Sequence, residues 1–287
     1  MTSTPVNTPV APRKRVPKTA VVLRTAPLTP QMLRVVFTGE DLLRLPDLTF
    51  TDHYIKILFP PAAADYSWPF DPEQVKRGRP AEQWPVTRTY TIRSYDRVAN
   101  EMAVDFVIHG DEGLAGPWAA RAQPGDAIGF FGPGGAFAPD PVADGHLLVG
   151  DEAAIPAIAA TLERLPSQAH AEVFLEVAGP GHQQPLPMTR DTTVHWVHRA
   201  GTGLGYGQAL SAAVRGAELP PGRLQLFVHG NADMVRDLRR FLFADRHLDR
   251  RSASISGYWR SGQTEDRWQA TKAEFNRLME AEESAAG

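Results

Sequence analysis

From Lys18 to about Asp140 the chain alternates apolar and polar residues over short runs: VVLRT, MLRVVF, HYIKILF, RTYTIRSY, EMAVDFVIH and DAIGFFG. These runs are rich in β-branched and aromatic residues and are separated by Pro, Gly and Asp, which predicts six short antiparallel strands closing into a small barrel. One helical stretch, PWAARA after Gly116, interrupts them, with Pro117 suited to a first helical position. Between Pro60 and Val86 a long proline-containing segment shows no sustained period. Its Tyr66, Trp68, Phe70 and Trp84 are costly to leave in water, so they are expected to pack partly against the barrel or over a ligand.

From His146 onward the rhythm changes. Apolar strands (HLLVG, AEVFLEVA, TVHWVHR, RLQLFVHG, SASISGYW) alternate with amphipathic stretches (EAAIPAIAATLERL, GQALSAAV, ADMVRDLRRFLFADRH). This pattern predicts a parallel α/β sheet covered on both faces. A last helix opens at Thr264, a good N-cap, and spaces Trp268, Phe275, Leu278 and Met279 for one docking face. The turn-rich PDPVADG near residues 139–144 divides the chain into a solvated tail (1–17), a barrel domain (18–140) and an α/β domain (141–287).

The 287 residues suit about two domains. Hydrophobic residues at 43% and charged residues at 22% exclude a disordered or fibrous chain. A net charge of -3 offers no field for nucleic acid. Without cysteine there is no disulfide, thiol catalysis or Cys-ligated cluster, so redox chemistry requires a bound cofactor. No apolar run resembles a signal peptide or a membrane span, which makes the cytoplasm the expected location and membrane insertion unexpected. His195 and His198, three apart on a strand, point to opposite faces, and no protein metal site is expected. Neither a Gly-x-Ser-x-Gly elbow nor a Walker loop occurs.

The strand Arg88-Thr-Tyr-Thr-Ile-Arg93 puts Arg88, Tyr90 and Ile92 on one face. A flavin needs an aromatic surface for its ring, a cation for its pyrophosphate and hydrogen-bonding groups near its ring nitrogens. Tyr90, Arg88 and Thr91 offer these in turn, although an ordinary solvated strand with a packed tyrosine has the same spelling.

Five motifs carry a broader resemblance: RTYTIR, DFVIHG at Asp105 to Gly110, GDEAAIPAI at Gly150 to Ile158, VHGNADMVRDLR at Val228 to Arg239 and YWRSG at Tyr258 to Gly262. Together, over roughly Lys18 to Trp268, the chain resembles the siderophore-interacting protein family of flavin-dependent ferric-siderophore reductases. The resemblance implies a ferredoxin-reductase-like fold, with FAD on the barrel and NADPH or NADH on the α/β domain. It implies flavin contacts from Arg88, Tyr90 and Thr91 and from His109 and Gly110. Gly113-Leu-Ala-Gly116 stands where the family has a Gly-Pro-Ala-Ser type turn, so the backbone N–H groups of Ala115 and Gly116 replace a hydroxyl toward the pyrophosphate. Trp118 either covers the adenine or packs in the core.

In the nucleotide half, Gly150, Asp151 and Glu152 form the strand-to-helix turn. The turn lacks G-x-G-x-x-G, has Ala153 where the family has Thr, and sets two acidic residues where phosphate would come. Asp151 acting as a helix cap is the alternative. Arg199 follows a strand end, where an Arg can pair with a 2′-phosphate. Trp259 and Arg260 are candidates for the rim that receives an anionic ferric siderophore or other ferric chelate, with packing of Tyr258 and Trp259 beneath the terminal helix as the alternative. The expected activity passes electrons from NAD(P)H through FAD to Fe(III), with no acid or base residue; a monomer is favoured, and the oligomeric state stays open. A flavin reductase or diaphorase with another acceptor, a non-catalytic siderophore-binding protein and a retained scaffold stay open.

Overall fold

The computed structural model describes residues 16–108 and 113–286 of the chain. Its first half is a closed antiparallel barrel ordered β1-β2-β5-β4-β3-β6. The strands are β1 Lys18–Thr29, β2 Met32–Thr38, β3 Tyr54–Phe59, β4 Val86–Asp96, β5 Glu101–Val107 and β6 Ala127–Gly134. Pairing of β1 with β6 closes the sheet and removes its free edges. The period-two pattern fills the interior, where Phe37, Ile55, Ile57, Met102, Phe106 and Phe130 are fully buried. Each contributes about 2 kcal/mol relative to exposure.

A bulge in β4 between Ile92 and Ser94 changes which residues face inward. Before it Val86, Tyr90 and Ile92 pack on the barrel core, and after it Tyr95 does. Thr91 and Arg93 occupy the opposite face and meet the second half of the chain: Arg93 pairs with Glu163 at 2.7 and 2.9 Å. Helix α2 (Ala115–Arg121) covers the barrel with Ala115 and Ala119 buried. Trp118 lies parallel to Phe37 and against Phe59 and Phe106, so it is a core residue.

The long segment before β4 is more ordered than its aperiodic spelling predicts. Asp71 caps the backbone N–H groups of Glu73 and Gln74, and Pro72 opens α1 (Pro72–Gly78). Seven residues are too few to display a helical period. Tyr66 and Trp68 meet Phe70 edge-on. The Trp68 ring lies so close over Gly129 that any β-carbon there would overlap it.

The second half is a parallel sheet ordered β11-β10-β7-β8-β9. Its strands are β7 Gly145–Asp151, β8 His170–Val177, β9 Asp191–His198, β10 Leu224–Asn231 and β11 Ala253–Trp259. Helices α4 (Gln208–Gly216) and α5 (Ala232–Arg240) cover one face over Leu147, Val149, Leu226 and Val228. Helix α3 (Ile155–Arg164) covers the other over Leu148, Val173, Leu175 and Phe227. Met32 and Phe137 from the barrel side join this second cluster, so the two halves share apolar packing. Thr161 donates to the Thr51 hydroxyl at 2.8 Å, and Arg164 donates to the Thr49 carbonyl at 2.6 Å.

The terminal helix α6 (Glu265–Ala286) buries Trp268, Phe275 and Met279 against Ala232. Leu278, expected on that face, is 57% exposed. It sits one residue, about 100°, from Met279, and the helix docks through a narrower stripe. Among the described residues no helix is long and apolar enough to cross a membrane. No cluster of three or more His, Asp or Glu forms a metal site among them either.

Candidate functional site

The cross-strand register of β4 sets its side chains. Tyr90 lies opposite Ile55 and Arg88 opposite Ile57. The Tyr90 ring rests on Phe106, with centroids 4.3 Å apart and planes 36° apart. Burial first, and the charge of Glu265 second, push its phenol pKa upward. Arg88 donates from both ends of its guanidinium to Asp266 of α6 at 2.7 and 3.0 Å. The Arg88 side chain is 11% exposed and that of Asp266 is 60% exposed. Glu265 flanks the pair, its carboxyl pushed up by burial against the opposing pull of Arg88. Buried Thr91 lies beside the Tyr258 phenol of β11.

These residues fit a flavin dinucleotide. Arg88 already grips a planar anion in the two-pronged geometry that suits phosphate, and it does so with a partner that water can take over. Tyr90 offers a half-buried ring beside it. Gly113, with φ of +81°, turns the chain into α2, and a β-carbon at Gly116 would lie 3.3 Å from the Val107 carbonyl. The first N–H groups of α2, at Ala115 and Gly116, have no intrahelical acceptor. His109 and Gly110 lie outside the described residues.

The crevice of the parallel sheet opens where the strand order reverses, between β7 and β10. Gly150 is packed tightly, since a β-carbon there would lie 2.4 Å from that of Ala154. Asp151 turns inward. It accepts from the Trp259 indole at 2.8 Å, the Asn231 backbone at 2.7 Å and the Ala153 backbone at 3.0 Å. Burial, aided by neighbouring Glu152, pushes its carboxyl up to about 7. The acidic pair therefore does not present charge to phosphate as the spelling implied: Asp151 ties together the ends of β7, β10 and β11, and Glu152 is also bonded. Its carboxylate accepts from Arg199 at 2.7 and 3.0 Å and from the Ala178 backbone at 3.0 Å.

Both terminal nitrogens of Arg199 are engaged. Besides Glu152, it reaches Glu176 at 3.4 Å, and its guanidinium lies 4.4 Å from the Tyr206 ring centre. Glu176, wholly buried, accepts from the backbone N–H groups of Gly207 and Leu210 at the start of α4. Tyr206 meets Trp259 edge-on at 5.0 Å, which completes an aromatic rim over the crevice. Arg260 pairs with Asp233 at 3.0 Å and lies 4.9 Å over Phe275. Tyr258 and Trp259 thus do not pack beneath α6 as the alternative had it; Tyr258 faces the barrel and Trp259 holds Asp151. Beneath Tyr258, His229 stacks on Phe227 at 3.8 Å, and burial pushes its imidazole down to about 3.

Four participants escaped the sequence reading. Tyr258 stands inside the YWRSG motif and Tyr206 inside the glycine-rich AGTGLGYG, so both had a signal. Asp266 and Glu176 had none, because their partners are set by tertiary structure.

A closed six-stranded antiparallel barrel followed by a five-stranded parallel sheet is the ferredoxin-reductase-like fold. The same fold occurs in a ferredoxin-NADP+ reductase from Plasmodium falciparum (TM-score 0.62, 12% identity, 84% of this chain and 96% of that one). Among proteins of that fold, this chain belongs to the siderophore-interacting protein family. Residues 21–137 match the siderophore-interacting FAD-binding domain and residues 143–262 the siderophore-interacting protein domain. It is 35% identical over 258 residues to the ferric vibriobactin reductase ViuB of Vibrio cholerae, spanning 87% of this chain and 92% of that one. The crystal structure of a siderophore utilization protein from T. fusca superposes with a TM-score of 0.76 at 34% identity, covering 87% of this chain and 95% of that one.

Proposed function

We propose that this chain is a ferric-siderophore reductase that draws electrons from NAD(P)H in cytoplasmic iron acquisition. The observation that carries this reading is the seating of β4 on the parallel-sheet half: Arg93 pairs with Glu163 of α3 at 2.7 and 2.9 Å, and Tyr258 of β11 lies beside Thr91. Likeness to a ferric vibriobactin reductase supports the acceptor class. FAD, when bound, supplies the conversion between a two-electron donor and a one-electron acceptor.

The remaining work belongs to the chain's own residues. Residues 18–140 hold FAD and residues 141–287 hold the nicotinamide nucleotide. Arg88 exchanges Asp266 for pyrophosphate, with the N–H groups of Ala115 and Gly116 and the Gly113 turn completing the anion cradle. His109 and Gly110 contribute the second flavin segment. Tyr90 stacks the ring and keeps water from one face, while Thr91 offers a hydrogen bond at the ring edge. The crevice around Gly150 receives the nucleotide. Trp259 and Arg260 line the mouth through which the anionic chelate arrives. Its hard oxygen ligands hold Fe(II) less well than Fe(III), so reduction releases the metal. No side chain acts as acid or base.

The test is anaerobic turnover of FAD-loaded protein with NADH or NADPH and a ferric catecholate, read with a chelator that colours only with Fe(II). Colour that requires the nucleotide is the expected result. Nucleotide oxidation with a quinone or free flavin but no Fe(II) would replace the reading with a diaphorase. Absence of bound FAD and of any turnover would leave a siderophore-binding protein.

A further inference from the structure

We infer that this chain is built for NADH over NADPH, and that Glu152 decides it by holding the Arg199 guanidinium against a 2′-phosphate. The inference rests on the nicotinamide-donor reading above and adds the identity of the donor.

An arginine at the end of a strand on the nucleotide side is the ordinary cation for a 2′-phosphate, and Arg199 occupies that place. Its charge is already met by buried carboxylates. Both terminal nitrogens are used by Glu152 at 2.7 and 3.0 Å, one of them again by Glu176 at 3.4 Å, and the flat face is covered by Tyr206 at 4.4 Å. Two carboxylates face one guanidinium, so the cluster carries a net negative charge. The partners are also out of water: the side chain of Glu152 is 8% exposed and that of Glu176 is 0% exposed, against 14% for Arg199.

For a 2′-phosphate to take Arg199, Glu152 must let go. That would leave a buried carboxylate beside Glu176 and beside the incoming dianion, the costly arrangement of an unpaired charge in a poor dielectric. Glu176 cannot relieve this by moving, because its oxygens hold the start of α4 through Gly207 at 2.9 Å and Leu210 at 3.3 Å. A ribose that keeps its 2′-hydroxyl meets none of these costs, since a hydroxyl donates to a carboxylate and asks for no cation.

The experiment compares kcat/KM for NADH and NADPH in the FAD-loaded protein. Independently of turnover, calorimetry measures the binding of ADP-ribose and of 2′,5′-ADP. NADH favoured by about ten-fold or more, with ADP-ribose bound more tightly than 2′,5′-ADP, is the expected result. The isosteric Glu152→Gln keeps an oxygen for Ala178 but releases half of the countercharge. It should move both ratios toward the 2′-phosphorylated partner. A wild-type protein that prefers NADPH, or binds 2′,5′-ADP more tightly, overturns the inference while leaving the reductase reading intact. If the FAD-loaded protein neither oxidises nor binds any of these nucleotides, the donor reading fails and the inference with it.

Discussion

Arg88 and Arg199 make the same two-pronged bond to a carboxylate, yet the two edges they guard differ in how that bond can be exchanged. The partner of Arg88 is Asp266, 60% exposed on the first turn of α6. The partners of Arg199 are Glu152 and Glu176, 8% and 0% exposed. An exposed carboxylate regains its hydration when displaced, so an incoming phosphate can replace it at little cost. A buried one has nowhere to go. Local geometry is therefore a poor guide to whether an arginine is a ligand site; the solvation of its partner decides.

Breaking the buried edge should have the largest effect. Glu176→Ala leaves the Gly207 and Leu210 N–H groups without their acceptor and Arg199 with Glu152 alone, and about 3 kcal/mol of stability should be lost in denaturant titration. Asp151 sharpens the same point through pH. Its folded pKa of about 7 lies above its ordinary value near 3.8, so the folded state binds the extra proton. The stability it contributes is full below about 4 and is lost as pH rises toward 7. Asp151→Asn should remove that decline from the stability-pH curve, and an unchanged slope would show that the carboxyl titrates normally.

On the flavin edge, Tyr90→Ala should weaken FAD by roughly five-fold with the fold intact, since a stacked ring is worth about 1 kcal/mol beyond burial. Fluorescence titration of the apoprotein measures this. The smallest effect belongs to Asp266→Asn. Melting should move by less than about 0.5 kcal/mol equivalent, and FAD should be held as well or slightly better, because Arg88 no longer has to be shared. Loss of FAD in this variant would mean that α6 supports the site and does not compete for it.

The barrel and the parallel sheet were legible because each announces itself by periodicity: alternation in HYIKILF places Ile55 and Ile57 inside, and apolar strands between amphipathic helices imply crossovers. The triplet Arg88, Tyr90 and Thr91 was legible as residue types, and the strand that carries it is the one proposed for the flavin. Helix α1 was not, being shorter than the period that would reveal it. Nor was the state of the acidic turn, because the spelling DEAA does not tell whether carboxylates point at a ligand or at Trp259 and Arg199. The pairing of Arg88 with Asp266, 178 residues apart, is of the same kind. Residue types predicted the chemistry available; which partners quench it depends on contacts that no local pattern encodes.

The most direct measurement of the whole account is the visible spectrum of the FAD-loaded protein under anaerobic conditions, first with NADH and then with a ferric siderophore. NADH should bleach the flavin absorbance, and the ferric chelate should restore it. A flavin that NADH leaves oxidised, or that stays bleached after the ferric chelate is added, would contradict it.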